Sequence, residues 1–433
     1  MTRYCIGAAT ALLLALVSGA ATGLAQTSQP PSNAAARGGS TGRDAIVPFK
    51  IQVPEETLRD LKARLARTRF PDEIPGTGWD YGTDLAYLKS LVAYWRDRFD
   101  WRAQERKLNE FDQYKTTIDG LEIHFIHQKS KVANAFPLAV THGWPGSIVE
   151  FTKVIGPLTD PVKYGGRAED AFNVVAISLP GFGFSGKPAE RGYSPEKMGT
   201  IIAKLMARLG YQRYGVQGGD WGGIISRLVA LDDPTHVAGL HLNFCTAGPP
   251  PGVANPNEGV PPAELQRYQA RQTYMENERA YQQIQGTKPQ TLGFSLDDSP
   301  AGLAAWILDH DADSYAVIAR SFDGEPEGLT RDDILDNITF YWLTNTAISS
   351  ARLYWEHRQT AKAGFFDAKG VTIPVGATAN PSEIYTAPKS WTERAFPKLL
   401  HYGRMPKGCH FAAWEQPKYF TDEVRATFKS LRA

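Results

Sequence analysis

The stretch Gly218-Gly219-Asp220-Trp221-Gly222-Gly223 constrains the fold of this chain more than any other. It follows a short β-type run, Tyr214-Gly215-Val216-Gln217, and leads into Ile224, Ile225, Leu228, Val229 and Leu231, spaced for one face of a helix. A strand, a glycine-flanked turn and a helix make a sharp elbow that pushes the turn residue up above a sheet. The glycines let neighbouring backbone come close and tolerate a strained turn. The residue at the tip is Asp220. A carboxylate in that place attacks an electrophilic carbon and forms an ester, so the implied chemistry is alkylation followed by hydrolysis. An ordinary aspartate in a glycine-rich turn fits these six residues equally well, and the rest of the chain has to decide.

Around the elbow, β and α patterns alternate. Strands are expected at Leu121 to Ile126, Leu138 to Thr141, Phe172 to Ser178 and Val237 to Leu242, with helices such as Lys197 to Leu209 between them. That alternation predicts an α/β fold: a mainly parallel sheet with helices on both faces. Ligands on such sheets bind at the carboxyl ends of strands. The loops His142-Gly143-Trp144-Pro145-Gly146 and Pro180-Gly181-Phe182-Gly183-Phe184-Ser185 fall there. From about Thr246 to Gly364 the pattern breaks into helices rich in aromatics: Tyr268, Tyr274, Tyr281, Trp306, Tyr315, Tyr341, Trp342, Tyr354 and Trp355. This reads as a cap inserted over the sheet. The sheet resumes at Val371 to Val375 and Leu399 to Tyr402, and a helix from Pro417 to Arg432 closes the chain.

Ahead of the sheet, Pro54-Glu55-Glu56 opens a helix with Leu58, Leu61 and Leu65 on one face, and a second helix carries Leu88, Leu91, Val92, Trp95 and Phe99. This N-terminal extension, over 46–115, is expected to be all-helical and structural. Residues 26–45 are rich in Ser, Gly, Ala, Pro and Gln and read as a disordered linker. Before them Arg3 precedes an apolar run, Ile6 to Val17, then small residues suited to cleavage after Ala20 or Ala25. That is a secretory signal over 1–25, so the mature chain is expected to be exported to the periplasm or medium with no stable membrane span. A retained anchor is the alternative, although the run is short for a span. The remaining segments are expected to be 116–245 and 365–433 for the two parts of the sheet core, with 246–364 for the cap.

Composition narrows the partners. The chain has 433 residues, 42% hydrophobic, and a formal net charge of +1. No basic run interleaved with aromatics appears, so nucleic acid is not an expected partner. Cys245 and Cys409 read as isolated thiols, and no Cys or His pair has metal-ligand spacing. No cofactor is expected. A homo-oligomer is compatible with the sequence, which leaves the oligomeric state open.

Three further groups complete a mechanism. His410, in Gly408-Cys409-His410-Phe411, follows the last expected strand, matching the chain order nucleophile, acid, base. Glu383 is the only carboxylate in the loop Ala377 to Glu383, where the acid that orients the histidine belongs. The other common location for that acid ends in Asn243. The turn at His142 and Pro145 sets a second backbone segment beside the elbow. The N–H groups of Trp144 and Trp221 would then converge on an oxyanion.

With these residues in place the chain resembles the microsomal-type epoxide hydrolases, from about Val47 to the C-terminus. The resemblance rests on His142-Gly143-Trp144-Pro145-Gly146-Ser147, Gly219-Asp220-Trp221-Gly222, Ile284-Gln285-Gly286-Thr287-Lys288-Pro289, Ser349-Ser350-Ala351-Arg352-Leu353-Tyr354 and Gly408-Cys409-His410-Phe411-Ala412-Ala413. It implies an α/β-hydrolase fold with a helical cap, and two cap tyrosines over the nucleophile. The matching positions are Tyr281 and Tyr354. A phenol with pKa about 10 can donate to the oxygen of an opening epoxide at neutral pH. The expected activity is conversion of hydrophobic epoxides, aryl or lipid-derived, to vicinal diols through an aspartyl ester and His-activated water. Two rivals remain at this point: a haloalkane dehalogenase with the same nucleophile, and an exported binding protein on the same fold.

Overall fold

The computed structural model describes residues 42, 44–309, 329–360, 368 and 370–432, apart from the side chains of 270, 271, 273–275 and 277. The expected signal, nearly all of the expected linker, Tyr315 and the side chain of Tyr274 lie outside these residues. Nine strands form one sheet: β1 Val47–Phe49, β2 Gln113–Ile118, β3 Leu121–Gln128, β4 Phe136–Thr141, β5 Phe172–Ile177, β6 Tyr214–Gly218, β7 Val237–Leu242, β8 Val375–Ala379 and β9 Leu399–Arg404. Their order is β1-β2-β3-β5-β4-β6-β7-β8-β9. The first three pair antiparallel, and β3 joins β5 in the same sense. From β5 to β9 every neighbour is parallel. The mainly parallel sheet expected from the alternating pattern is there, with the elbow strand β6 in its middle.

The strands are parallel because helices return the chain over both faces. Pro195–Arg208 buries Met198, Ile201, Ile202 and Leu205, and Pro417–Phe428 buries Phe420, Val424 and Phe428. The strands they cover are buried on both sides, so β4, β5 and β7 read as apolar runs without alternation. Between β7 and β8 the described chain is helical, from Pro262–Asn277 to Ala347–Thr360.

Two expectations need correction. The N-terminal extension is not all-helical, because Val47–Phe49 forms an edge strand on β2, itself not expected. Three residues including Pro48 are too few for alternation to show. The strand expected at Val371 to Val375 lies at Val375–Ala379 instead. Val371 and Ile373 carry the β-branched signal, whereas Gly376-Ala377-Thr378-Ala379 carry little of it. A Cβ on Gly376 would stand 2.1 Å from Thr427 Oγ1, so the closing helix leaves room there only for a small residue. Packing, not propensity, set that strand.

Candidate active site

The parallel strands end on one edge, and register brings their ends together: Thr141 beside Gly218, Gly218 beside Leu242, and Leu242 beside Ala377. Asp220 begins the helix Asp220–Asp232 directly after β6. Its φ of +47° is a conformation that side-chain-bearing residues rarely adopt, the strain expected of an elbow. Close approach fixes the flanking glycines. A Cβ on Gly222 would stand 1.9 Å from the Thr141 carbonyl oxygen, and one on Gly143 would stand 2.1 Å from Asp220 Oδ1. The missing side chain of Gly143 is thus what lets the Asp220 carboxylate lie against the neighbouring loop.

That loop supplies the expected donor. The Trp144 N–H donates to Asp220 Oδ1 at 2.8 Å. Trp221 follows Asp220 in the first turn of the helix, where amides have no intrahelical acceptor. His142 is buried and scaffolds the turn: the Leu179 N–H donates to its Nε2 at 3.2 Å, so its Nδ1 carries the proton and donates to Gly143 O at 2.9 Å. Burial pushes its pKa down to about 4, which keeps that neutral tautomer. The Trp144–Pro145 peptide is cis.

His410 faces Asp220 from the loop after β9, with Nε2 3.5 Å from Asp220 Oδ2. Its Nδ1 lies 2.6 Å from Glu383 Oε1, which also accepts from the Ile384 N–H at 2.8 Å. The two side chains are 1% and 2% exposed. Burial alone would lower the histidine's pKa, but the Glu383 and Asp220 carboxylates outweigh it and hold the pKa well above the ordinary value. The loop around His410 is pinned on both sides. Glu415 accepts from the Cys409 N–H at 2.8 Å and the Phe411 N–H at 2.9 Å. Asn380 Nδ2 donates to Cys409 O at 3.0 Å, tying the His410 loop to the Glu383 loop.

The two tyrosines arrive from different helices, Ala280–Thr287 and Ala347–Thr360. Both are buried, with ring centroids 6.0 Å apart. Tyr281 stacks on the Trp144 ring at 5.3 Å, and Tyr354 meets the Trp221 ring edge-on at 4.8 Å. Trp144 and Trp221 therefore set the tyrosines with their rings while their backbone borders Asp220. Burial, then the neighbouring Tyr281 and Asp220, push the Tyr354 phenol well above its usual pKa, which keeps its proton on. Beside them a cavity of about 210 Å³ reaches Asp220, lined by Phe244, Tyr354, His357 and Ile384, with Arg279 and Arg358 at its rim.

All nine residues singled out from the sequence thus meet at one place. The supports behind them were not foreseen. Asn337, in the helix Arg331–Thr344, donates to Pro145 O at 2.8 Å and accepts from Ser147 Oγ at 2.7 Å. Tyr341 donates to Gly146 O at 2.7 Å. Ser349 donates to Gly181 O at 2.5 Å, and Gln285 accepts from Trp306 Nε1 at 2.8 Å. The last two explain motif residues that carry no chemistry: they seat the tyrosine helices. The spacing of Asn337 and Tyr341, one helical turn apart, is the only trace they leave in the sequence.

Comparisons with known proteins bear on the family and the fold. The epoxide hydrolase N-terminus family matches residues 46–151, and the alpha/beta hydrolase fold family matches 137–335. A protein of Stigmatella aurantiaca, provisionally named as an epoxide hydrolase, is 46% identical over 90% of this chain and 86% of its own. Epoxide hydrolase 1 of Sus scrofa is 38% identical over 88% of each chain. Among solved structures, juvenile hormone epoxide hydrolase from the silkworm Bombyx mori superposes with a TM-score of 0.80 at 31% identity, covering 90% of this chain and 95% of that one. The Aspergillus niger epoxide hydrolase gives 0.77 at 28% identity, covering 89% and 96%. A relative 38% identical along nearly its whole length shows the family, and the chain is a microsomal-type epoxide hydrolase with the α/β-hydrolase fold.

Proposed function

We propose that this enzyme converts hydrophobic epoxides to vicinal diols in two steps, with Asp220 as nucleophile. The observation that carries the reading is the line Glu383–His410–Asp220, at 2.6 and 3.5 Å, beneath Tyr281 and Tyr354. In the first step Asp220 Oδ2 attacks the less hindered epoxide carbon. The carbon–oxygen bond breaks, its electron pair goes to the ring oxygen, and a tyrosine phenol supplies the proton. Asp220 Oδ1, already held by the Trp144 amide, becomes the ester carbonyl oxygen.

Esterification removes one of the two anions beside His410. The pull that keeps the imidazole protonated then weakens, its proton passes to the phenolate left by the first step, and the ring becomes available as a base. In the second step His410 Nε2 takes a proton from water, whose oxygen adds to Cγ of the ester. The Trp144 and Trp221 amides steady the oxyanion. Collapse breaks the bond from Cγ to the alkyl oxygen, which takes a proton from His410. The second water proton, left on the Asp220 carboxyl, returns to His410 and restores the resting enzyme. A departing halide would need no donor like the tyrosine pair, which is what favours an epoxide over a haloalkane. Trp221, Phe244, Tyr354 and Ile384 give the cavity an apolar side beside Asp220, which supports a hydrophobic substrate, while Arg279, Gln282, Gln283 and Arg358 line the rest.

The test is a quenched single turnover of an aryl epoxide with mass analysis of the Asp220 peptide. His410→Ala is expected to leave the ester on Asp220 and release no diol; free Asp220 with diol formation intact refutes the assignment. We also propose that the chain is exported after cleavage behind Ala20 or Ala25, on the strength of the Ile6 to Val17 run. A mature protein from the periplasm or medium that retains residues 1–25 refutes this. Among the described residues no helix is long and apolar enough to cross a membrane.

A further inference from the structure

One carboxyl group beside the site has no part in this scheme. Glu150 lies in the one-turn helix Ile148–Phe151 that continues the His142 to Ser147 turn. It is half-buried, and its Oε1 is buried without a hydrogen-bond partner among the described residues. The group folds back over the turn: a Cβ on Gly146 would stand 1.4 Å from Glu150 Oε1. Asp220 Oδ1 occupies the matching space at Gly143. Two carboxyl groups therefore press against the same four-residue turn, and the nearby Gly143 and Ser147 amides favour the charged form of Glu150.

Its surroundings connect it to the chemistry. Burial raises the Glu150 pKa to about 8; His410 works against that rise, and Asp220 adds to it. Tyr341 also feels its charge. Glu150 thus shares its field with both the nucleophile and the base. A buried carboxyl oxygen without a donor asks for water. Water is also the one reactant of the second step for which the scheme provides no holder besides His410.

We propose that Glu150 is a positioning residue for the hydrolytic water: its Oε1 accepts one water hydrogen while His410 Nε2 removes the other. The water oxygen is then held against Cγ of the Asp220 ester, and bonds are made and broken as in the second step above. The arrangement is timed by charge. In the resting enzyme the Asp220 anion opposes a second anion at Glu150. Forming the ester removes that opposition, and the charge that His410 gains as it takes the water proton favours the Glu150 anion again. The inference rests on the proposed ester mechanism.

Glu150→Gln and Glu150→Asp in the full chain test it, with styrene oxide as probe in quenched single turnovers and in steady state. Ester formation is expected to stay within about threefold, while ester breakdown slows about 10- to 100-fold in Glu150→Gln, the range for one charge-assisted hydrogen bond. Because breakdown alone is slowed, kcat and KM fall together and kcat/KM holds. Glu150→Asp is expected to recover part of the loss. Unchanged breakdown overturns the proposal, as does a parallel fall of both steps, which marks a merely structural role. If Glu150→Gln does not fold by thermal melt, Glu150→Asp carries the comparison; failure of both to fold assigns Glu150 to loop architecture and overturns the proposal. A wild-type enzyme that makes diol without an Asp220 ester refutes the two-step reading and this inference with it, whereas normal wild-type behaviour with normal variants refutes only this inference.

Discussion

Replacing Glu383 by Gln separates charge from geometry at the base. The amide oxygen can still accept from the Ile384 N–H and from His410 Nδ1, and Glu383 Oε2 has no hydrogen-bond partner to lose. What disappears is the anion 2.6 Å from the ring. A hydrogen bond to a charged acceptor contributes about 1.5–3 kcal/mol and one to a neutral acceptor about 0.5–1.5 kcal/mol, so the floor is roughly a 5- to 30-fold loss. Both side chains are almost wholly buried, so water screens the missing charge poorly. An amide in the acid position of a Ser-His-Asp triad costs about 10⁴ in kcat. The expected slowing of ester breakdown is therefore about 10²–10⁴-fold. Ester formation, which does not create an imidazolium, is expected to change by less than about tenfold. Quenched single turnovers read both rates from one sample. Equal loss in both steps, or breakdown as fast as wild type, would refute the reasoning. Stability gives a second readout. The His410 pKa is raised in the folded chain, so its contribution is fully present below about pH 6.5 and is lost as pH climbs through the raised value. Glu383→Gln is expected to flatten that decline in a pH series of denaturant unfolding.

The tyrosines and their supports behave differently. Tyr281→Phe and Tyr354→Phe are each expected to slow ester formation about 10- to 100-fold, and together about 10²- to 10⁴-fold, while leaving breakdown of a preformed ester near wild type; slowed breakdown contradicts their role. Asn337→Ala strips partners from Pro145 O and Ser147 Oγ in a buried turn, at about 1–3 kcal/mol each. Unfolding in denaturant should show a loss of about 2–5 kcal/mol, and ester breakdown should slow as the Trp144 amide loosens. Unchanged stability contradicts the anchoring.

Legibility in the sequence followed chemistry rather than structure. Asp220 could be read because the elbow forces glycines at positions where a Cβ has no room, and those glycines print in the sequence. His410 and Glu383 could be read because parallel topology delivers strand-end loops to one edge, so chain order stands in for distance. Tyr281 and Tyr354 could not be chosen among nine cap aromatics without the resemblance. A buried tyrosine in a helix looks alike whether it packs or donates. Asn337, Glu415 and Ser349 left almost no mark, because each acts on backbone far away in sequence and the backbone carries no side-chain signature. The β8 misplacement has the same origin: the residues that define it are small because a helix lies on them.

The site draws on the sheet unevenly. Asp220 follows β6, flanked by β4 and β7, whereas His410 hangs from the loop after β9, which among the described residues pairs with β8 alone. Edge strands and their loops open at lower free energy than central ones. A warmed enzyme would thus lose its deacylating half while its alkylating half still stands. Substrate then changes the kind of damage heat does. Without epoxide, brief fraying at β9 is repaired on cooling; with epoxide, each frayed molecule traps one equivalent on Asp220. Heating with substrate is expected to give inactivation that scales with epoxide and leaves a countable covalent tag.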